Sequence, residues 1–320
     1  MSFKFLGSGH ALPSFILNNN DFCSFLDTSD EWITTRTGIK ERRITINETA
    51  ASLASEAAKN ALENAKTCPS ELDLIICATL GGDYFTPSLS CLVQKEIGAN
   101  CPAFDINAAC SGFIYALEVA AGFFRMNTVK KALVLGYETM SRFVDWRDRA
   151  TCVLFGDGGG AVVLGTGDDY LGSTLSAKGD EQLLNIPLPS GNCPFRKQSS
   201  NSSFLYMNGK EVYKFAVNAL CADIETALAR AGICKDDLTY VLPHQANIRI
   251  IDAAREKLGM PAEKFITAID RYGNTSSGSI PILLDETNRA GKLKNGDLLA
   301  LCAFGSGLTS GCCILRWSMS

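Results

Sequence analysis

Three side chains in this sequence can do carbonyl chemistry together: a cysteine, a histidine and an asparagine. Cys110 follows a short apolar run, 102–106, and a small-residue turn, Asn107-Ala108-Ala109. It opens a segment, CSGFIYALEVAA, that is apolar on nearly every face and therefore reads as a buried helix. A cysteine in the first turn of a helix lies among unpaired N–H groups and the positive end of the dipole, roughly half a unit charge. That environment favours thiolate, the nucleophilic form. His244 stands in LPHQAN after an apolar strand, and Asn274 in RYGNTSSGS. A neutral imidazole donates through Nε2–H and an asparagine amide adds a second uncharged donor. Two donors aimed at one oxygen stabilise an enolate or oxyanion. The glycine run FGSGLTSG, residues 304–311, permits close backbone approach. One N–H there and that of Cys110 could form an oxyanion hole for a thioester carbonyl.

Each residue also has a plainer reading. The chain holds 13 cysteines, and a free cysteine is ordinarily a small buried hydrophobe. A lone histidine beside a core is ordinarily structural, and an asparagine after glycine ordinarily makes a turn. The order of elements around the three residues lifts them above these readings.

Helices are expected over 48–65, 88–97, 216–231, 248–258 and 277–290, and strands over 72–79, 102–106, 131–135, 155–164, 238–242, 265–269, 297–303 and 312–317. The order repeats. Leu72 aligns with Leu238, Asp105 with Asp270 and Ala132 with Ala300, displaced by roughly 165 residues. Two strand–helix units, 1–165 and 166–320, are therefore expected, with helices packed on sheets. Cys110 follows a strand of the first unit, and His244 and Asn274 follow strands of the second. Ligands in α/β proteins gather beyond the carboxyl ends of strands, so a site is expected at the junction.

Composition bounds the alternatives. At 46% hydrophobic and 20% charged the chain is globular, and a net charge of −4 argues against a broad nucleic-acid-binding face. No run of about eighteen apolar residues exists to span a membrane, and MSFKFLGSGHALPSF does not read as a secretory signal. An odd cysteine count without CxxC argues against a disulfide framework, zinc ribbon or redox dithiol, and points to the reducing cytoplasm. Two histidines exclude a histidine-rich metal site. Cys-His-Asn also describes papain-like proteases, but their local signature is absent and the duplicated architecture does not fit. Trp32, with Arg36, Arg42 and Arg43 nearby in sequence, reads either as a helix residue packed on the body or as an aromatic platform for a nucleotide.

DEWITTRTGIKERR, NAACSGFIYAL, FGDGGGAVVLG, VLPHQANIRII and RYGNTSSGS resemble, in order, segments of the β-ketoacyl-acyl carrier protein synthase III family of thiolase-like condensing enzymes. The resemblance covers essentially the whole chain. It implies a five-layered αβαβα thiolase-like fold, a homodimer, and no permanently bound cofactor. It also implies an acyl-CoA primer that loads Cys110, followed by malonyl-acyl carrier protein. His244 and Asn274 would stabilise the enolate left by decarboxylation, and backbone N–H groups of Cys110 and Ser306 would form the oxyanion hole. Ser306 stands where the family usually has glycine, and Ser310 where it commonly has tryptophan. CoA would meet Thr28, Trp32, Arg36, Arg149, Met207, Gly209 and Asn247, with adenine between Trp32 and Arg149. The carrier protein would dock on Gln245, Ala246, Asn247, Ile248 and Arg249, aided by Lys210, Lys214, Arg255 and Lys257. Thr86 falls where a partner-subunit residue often caps the acyl pocket, and its small size suggests a longer or branched primer. A related thiolase-fold acyltransferase, a polyketide-type synthase or a non-catalytic acyl-CoA-binding module are the alternatives.

Overall fold

The computed structural model describes residues 2–188, 194–195 and 203–319. The chain runs β1 (Ser2–Ala11), β2 (Phe15–Asn18), α1 (Asn19–Phe22), α2 (Asp30–Thr37), β3 (Glu41–Ile44), α3 (Ala50–Asn64), β4 (Leu74–Ala78), α4 (Leu89–Ile97), β5 (Ala103–Ile106), α5 (Gly112–Arg125), β6 (Lys131–Thr139) and β7 (Asp157–Gly167). It continues through β8 (Tyr170–Ala177), β9 (Leu184–Asn185), β10 (Tyr206–Met207), α6 (Gly209–Ala231), β11 (Tyr240–Pro243), α7 (Ile248–Leu258), α8 (Ile269–Tyr272), α9 (Ser279–Arg289), β12 (Leu298–Gly305) and β13 (Thr309–Arg316).

Local chemistry sets several of these ends. Thr49 caps α3 by accepting from Ser52 N, and Ser88 caps α4 by accepting from Cys91 N. Gly98 and Gly259 end α4 and α7 in the left-handed region, at φ 74° and 63°. Helix α6 starts at Gly209, seven residues before the expected Ala216. Its first turns, GKEVYKF, lack an apolar stripe, and the Asn208 cap, accepting from Glu211 N, starts it.

Two sheets carry the architecture. One has the order β1-β7-β6-β4-β5, with β4 parallel to β5 and β6. The other has the order β11-β12-β13-β8, with β11 parallel to β12. Three apolar clusters separate the layers. Leu53, Ala57 and Ala61 of α3 and Val93 of α4 pack on Ile75 and Leu133 of the first sheet. Phe113 and Leu117 of α5 and Ile280 and Leu284 of α9 pack between Ile76 of the first sheet and Leu301 of the second. Ile224 of α6 and Ile251 of α7 pack on Val241 and Ala300 on the outer face. The result is α3/α4, sheet, α5/α9, sheet, α6/α7: the five layers of the thiolase-like fold. The central strands, buried on both faces, are accordingly continuous apolar runs.

Two expectations need correction. Residues 265–269 do not form a strand. Phe265 makes a single parallel bridge to Val241, and Ile269 already begins α8. There Ala268 N donates to the Gln245 side chain (2.9 Å) rather than to a strand neighbour. The repeat also has a different register. Leu74 pairs with Ala132 and Tyr240 with Leu299, so the alignments of Leu72 with Leu238 and of Ala132 with Ala300 cannot both hold.

The turns before α5 and α9 fix the repeat closely. Residues 109–111 and 276–278 are both 3-10 turns, and Ala109 and Ser276 share a left-handed φ of 47° and 50°. Asn107 Oδ1 accepts from Ala109 N (3.2 Å) and Asn274 Oδ1 from Ser276 N (2.9 Å). NAACSG and NTSSGS are thus structural counterparts, 167 residues apart (274 less 107), so Asp105 does not correspond to Asp270. Ser277 is the counterpart of Cys110.

Candidate active site

A cavity of about 670 Å³ opens where the two sheets meet, and Cys110, His244 and Asn274 all line it. Cys110 lies in the 3-10 turn ahead of α5 rather than within the helix itself. The turn is braced by hydroxyls. Ser111 Oγ lies 2.7 Å from both Ala108 O and Thr309 Oγ1, and Thr309 Oγ1 lies 3.1 Å from Ala108 O and 2.9 Å from Ser306 O, so the two hydroxyls share these acceptors. A left-handed non-glycine residue directly before Cys110 is a strained feature of the kind active sites retain. Burial pushes the Cys110 thiol up to about 12, and a hydrogen bond to Ser276 offsets only part of this. The resting group is therefore the thiol, against the expectation drawn from the helix end; the desolvation cost of the anion exceeds the dipole's help.

His244 follows β11, its N–H donating to Cys302 O (2.8 Å). It is buried, and its ring meets Phe304 edge-on at 5.3 Å. Burial pushes its pKa down to about 3, so it is neutral at working pH. Thr275 Oγ1 donates to Ser279 Oγ (3.3 Å), and the Ser279 hydroxyl, 3.1 Å from His244 Nδ1, is placed to donate to it. With Ser279 as that donor the ring proton sits on Nε2, which has no partner among the described residues. Asn274 is held through both backbone groups, N to Leu154 O (2.8 Å) and O from Gly156 N (3.0 Å). Its Oδ1 is occupied by Ser276 N, so the NH₂ end is the free donor. Two neutral, anchored donors and a thiol thus share one cavity.

The glycine run forms the facing wall. Gly305, Ser306 and Gly307 line the cavity, and a Cβ on Gly305 would lie 2.7 Å from Cys110 N. The Ser306 hydroxyl turns away to Leu184 O (2.6 Å).

Over 322 residues the chain is 45% identical to the β-ketoacyl-[acyl-carrier-protein] synthase III of Clostridium acetobutylicum, covering 99% of each chain. The chain belongs to the β-ketoacyl-acyl carrier protein synthase III family. Models described as 3-oxoacyl-[acyl-carrier-protein (ACP)] synthase III and as the C terminal of that enzyme match residues 104–179 and 228–317. The crystal structure of the synthase III from Aquifex aeolicus is similar with a TM-score of 0.92 and 47% identity, over 98% of this chain and 100% of that one. The priming β-ketosynthase of the R1128 polyketide biosynthetic pathway is similar with a TM-score of 0.93 and 34% identity, over 99% and 97%.

Other residues expected from the synthase III resemblance are placed unevenly. Trp32, Arg36, Met207, Gly209, Ala246 and Asn247 line the cavity; Thr28 and Arg149 do not. Arg36 lies over one part of the Trp32 ring at 4.5 Å and Arg149 at 5.1 Å, so Arg149 touches the indole rather than facing it across an open slot. Arg149 is further tied to the Asp27 carbonyl. The Thr28 hydroxyl has no hydrogen-bond partner among the described residues. Asn247 caps α7, its Oδ1 accepting from Arg249 N (2.9 Å) and its Nδ2 donating to Arg36 O (3.0 Å). Gln245 is not a surface residue. It is buried, with Nε2 on Pro243 O (2.7 Å) and Oε1 on Ala268 N. Ile248 packs on Gly38. Arg249 is exposed and, among the described residues, has no acidic partner, whereas Lys214 pairs with Glu211 and Arg255 with Asp252 and Glu256.

Sequence reading missed one charged group in this region. Glu138, at the end of β6, is fully buried beneath Ser276 and Ser277. Its one signal was an acid at the end of the apolar stretch KALVLGYET.

Proposed function

We propose that Cys110 carries the acyl group in the condensation of acyl-CoA with malonyl-acyl carrier protein, the reaction that starts fatty acid synthesis. The supporting observation is that a buried thiol and two anchored neutral donors meet in one cavity. The thiol sulfur attacks the acyl-CoA carbonyl, forming the Cys110 thioester and releasing CoA. Backbone N–H groups of Cys110 and Ser306 hold the oxyanion. Malonyl-acyl carrier protein then enters. His244 Nε2–H and Asn274 Nδ2–H bind its thioester oxygen and stabilise the enolate as CO₂ leaves. The carbanion attacks the Cys110 thioester, and 3-oxoacyl-acyl carrier protein departs. Neutral donors suit this step, because negative charge develops on the oxygen only as the bond breaks.

Trp32, Arg36, Met207, Gly209 and Asn247 form the CoA entrance of this proposal. Thr28 and Arg149 border it, with Arg149 moving off Trp32 to admit adenine. Arg249 is its anchor for an acidic carrier protein, with Ala246 and Ile248 beside it. The halves 1–165 and 166–320 act as duplicated units, a division supported by the two sheets. A homodimer is supported by β5, the outermost strand of its sheet, and by Tyr84 and Phe85, exposed at 61% and 84%. Thr86 would then sit near the partner's acyl pocket. The cytoplasm is the proposed compartment, supported by the lack of disulfides among the described cysteines. No helix among the described residues is long and apolar enough to cross a membrane.

Intact-protein mass after incubation with acetyl-CoA and with four- to eight-carbon acyl-CoAs tests the first half-reaction. One acyl adduct on the wild type and none on Cys110→Ala is expected. No adduct across the whole series would end the reading. A strong preference for acetyl-CoA would remove the longer-primer suggestion at Thr86.

A further inference from the structure

We infer that Glu138, acting through the Ser276 hydroxyl, takes the Cys110 thiol proton as the acyl group is loaded and gives it back when the thiol is released. The inference rests on Cys110 being the nucleophile.

The proton needs somewhere to go. The thiol is neutral at rest, so attack on a thioester requires an acceptor within reach. His244 is poorly suited, because its Nδ1 is engaged by Ser279 and burial leaves the imidazole a very weak base. Ser276 lines the cavity with Cys110, its hydroxyl favours the Cys110 anion, and the same hydroxyl donates to Glu138 Oε1 (3.1 Å). Ser276 thus stands between the sulfur and a carboxylate.

That carboxylate is held only by neutral groups. Oε1 accepts from Ser276 and from Ser277 Oγ (2.9 Å), and Oε2 from Leu80 N (3.0 Å) and Thr79 Oγ1 (3.3 Å). Among the described residues no Lys, Arg or His pairs with it. A cation would fix the charge; hydroxyls can turn to serve either protonation state. Burial pushes the carboxyl up to about 7, so gaining and losing a proton near neutral pH are both inexpensive. The titratable neighbours on the packed elements are the buried Cys77 thiol of β4, the Cys110 thiol, and Asp157 of β7. Asp157 lies opposite Thr139, and its carboxylate is taken up by Ser141 and Thr45 N.

The proton balance closes over both half-reactions. In loading, the S–H proton passes to Ser276 Oγ while the Ser276 proton passes to Glu138. The sulfur–acyl bond forms, the acyl–CoA sulfur bond breaks, and the CoA thiolate takes a proton from water. In condensation the carbanion displaces the Cys110 sulfur. Glu138 then returns its proton through Ser276, restoring thiol and carboxylate. Decarboxylation and carbon–carbon bond formation need no further proton.

The test is single-turnover loading followed by intact mass from pH 5.5 to 10, using whichever acyl-CoA of the two- to eight-carbon series loads wild type fastest. Wild type should rise to a plateau with a midpoint near 7. Glu138→Gln, which keeps size and most hydrogen bonds, should load about 10²-fold slower at pH 7.5 and rise tenfold per pH unit without that plateau. Ser276→Ala should show the same defect, and the double variant should be no slower than either single one. Wild-type rate and midpoint in Glu138→Gln would overturn the inference. So would a slower rate that keeps the wild-type midpoint, since Glu138 would then merely brace the turn. Multiplying defects in the double variant would also overturn it. If Glu138→Gln does not fold, Ser276→Ala carries the same test. An adduct on Cys110→Ala would instead refute the choice of nucleophile.

Discussion

Replacing Gly305 by alanine tests whether the wall beside Cys110, the proposed nucleophile, sets the rate of loading. A Cβ there would lie 2.7 Å from Cys110 N, 3.2 Å from its Cβ and 3.3 Å from its Cα. Ordinary contact begins at 3.4 Å, so about 0.7 Å must be found (3.4 less 2.7). Neither side yields freely. The Cys110 turn is tied by Ser111 to Ala108 O and Thr309, and Thr309 ties Ser306 O in turn. The atoms that must move include the Cys110 N–H, with the Ser306 N–H one residue along. Misplacing reacting groups by about 1 Å costs roughly 10²-fold, and losing one oxyanion donor about 10²–10³. Gly305→Ala should therefore load at least about 100-fold more slowly in a time course followed by intact mass, while unfolding costs fall by about 1–3 kcal/mol. Malonyl-acyl carrier protein decarboxylation, which the proposal assigns to His244 and Asn274, should stay within about tenfold. Gly122→Ala is the control. No atom lies within 4 Å of its Cβ, so it should stabilise α5 by about 0.5–1 kcal/mol and leave loading unchanged. A folded Gly305→Ala protein that loads at the wild-type rate would refute the reasoning.

His244→Ala and Asn274→Ala should each slow CO₂ release from malonyl-acyl carrier protein by about 10²–10³ while sparing loading. Because His244 is neutral down to about 3, CO₂ release should show no histidine titration between pH 5 and 8; a midpoint near 6.5 would contradict the donor role. Trp32→Ala should raise KM for acyl-CoA by about 2- to 5-fold at unchanged kcat, and Arg149→Ala should raise it less, in steady-state assays. Glu138 holds its proton in the folded state up to about 7 against 4.5 when unfolded, so its contribution to stability is present below 4.5 and lost as pH rises through 7. The Tm of Glu138→Gln relative to wild type should therefore climb between pH 5 and 8.

Much of this architecture was legible in the sequence. Helix α7 has the bounds that its apolar period, Gly259 and Pro261 imply. The strand ends that carry Cys110 and His244 were placed by apolar runs alone; Asn274 follows α8 instead of the expected strand, yet the three residues share a cavity. What escaped depended on depth. Gln245 looks like a surface amide because composition cannot show that its side chain replaces a strand neighbour of Ala268. The charge state of Cys110 turns on desolvation, which is set by residues more than a hundred positions away. Arg149 reaches Trp32 through a loop whose path no local pattern fixes. The repeat was visible, but its register drifted by one or two residues, because insertions between strands shift the offset while apolar periodicity tolerates the slip.

The paired turns at the centre also carry a history. Cys110 corresponds to Ser277, and at the same 167-residue offset Gly305 corresponds to Glu138 (305 less 138). Gly305 abuts Cys110 as Glu138 sits under Ser277. Had the two halves once been separate identical chains around a twofold axis, each change at one turn would have been made at both. Joining them in one polypeptide lifts that constraint. One turn could keep a nucleophile with bare backbone beside it while the other became a hydroxyl and carboxylate floor. Asymmetry at the axis is what a fused gene makes possible and a symmetric pair cannot hold.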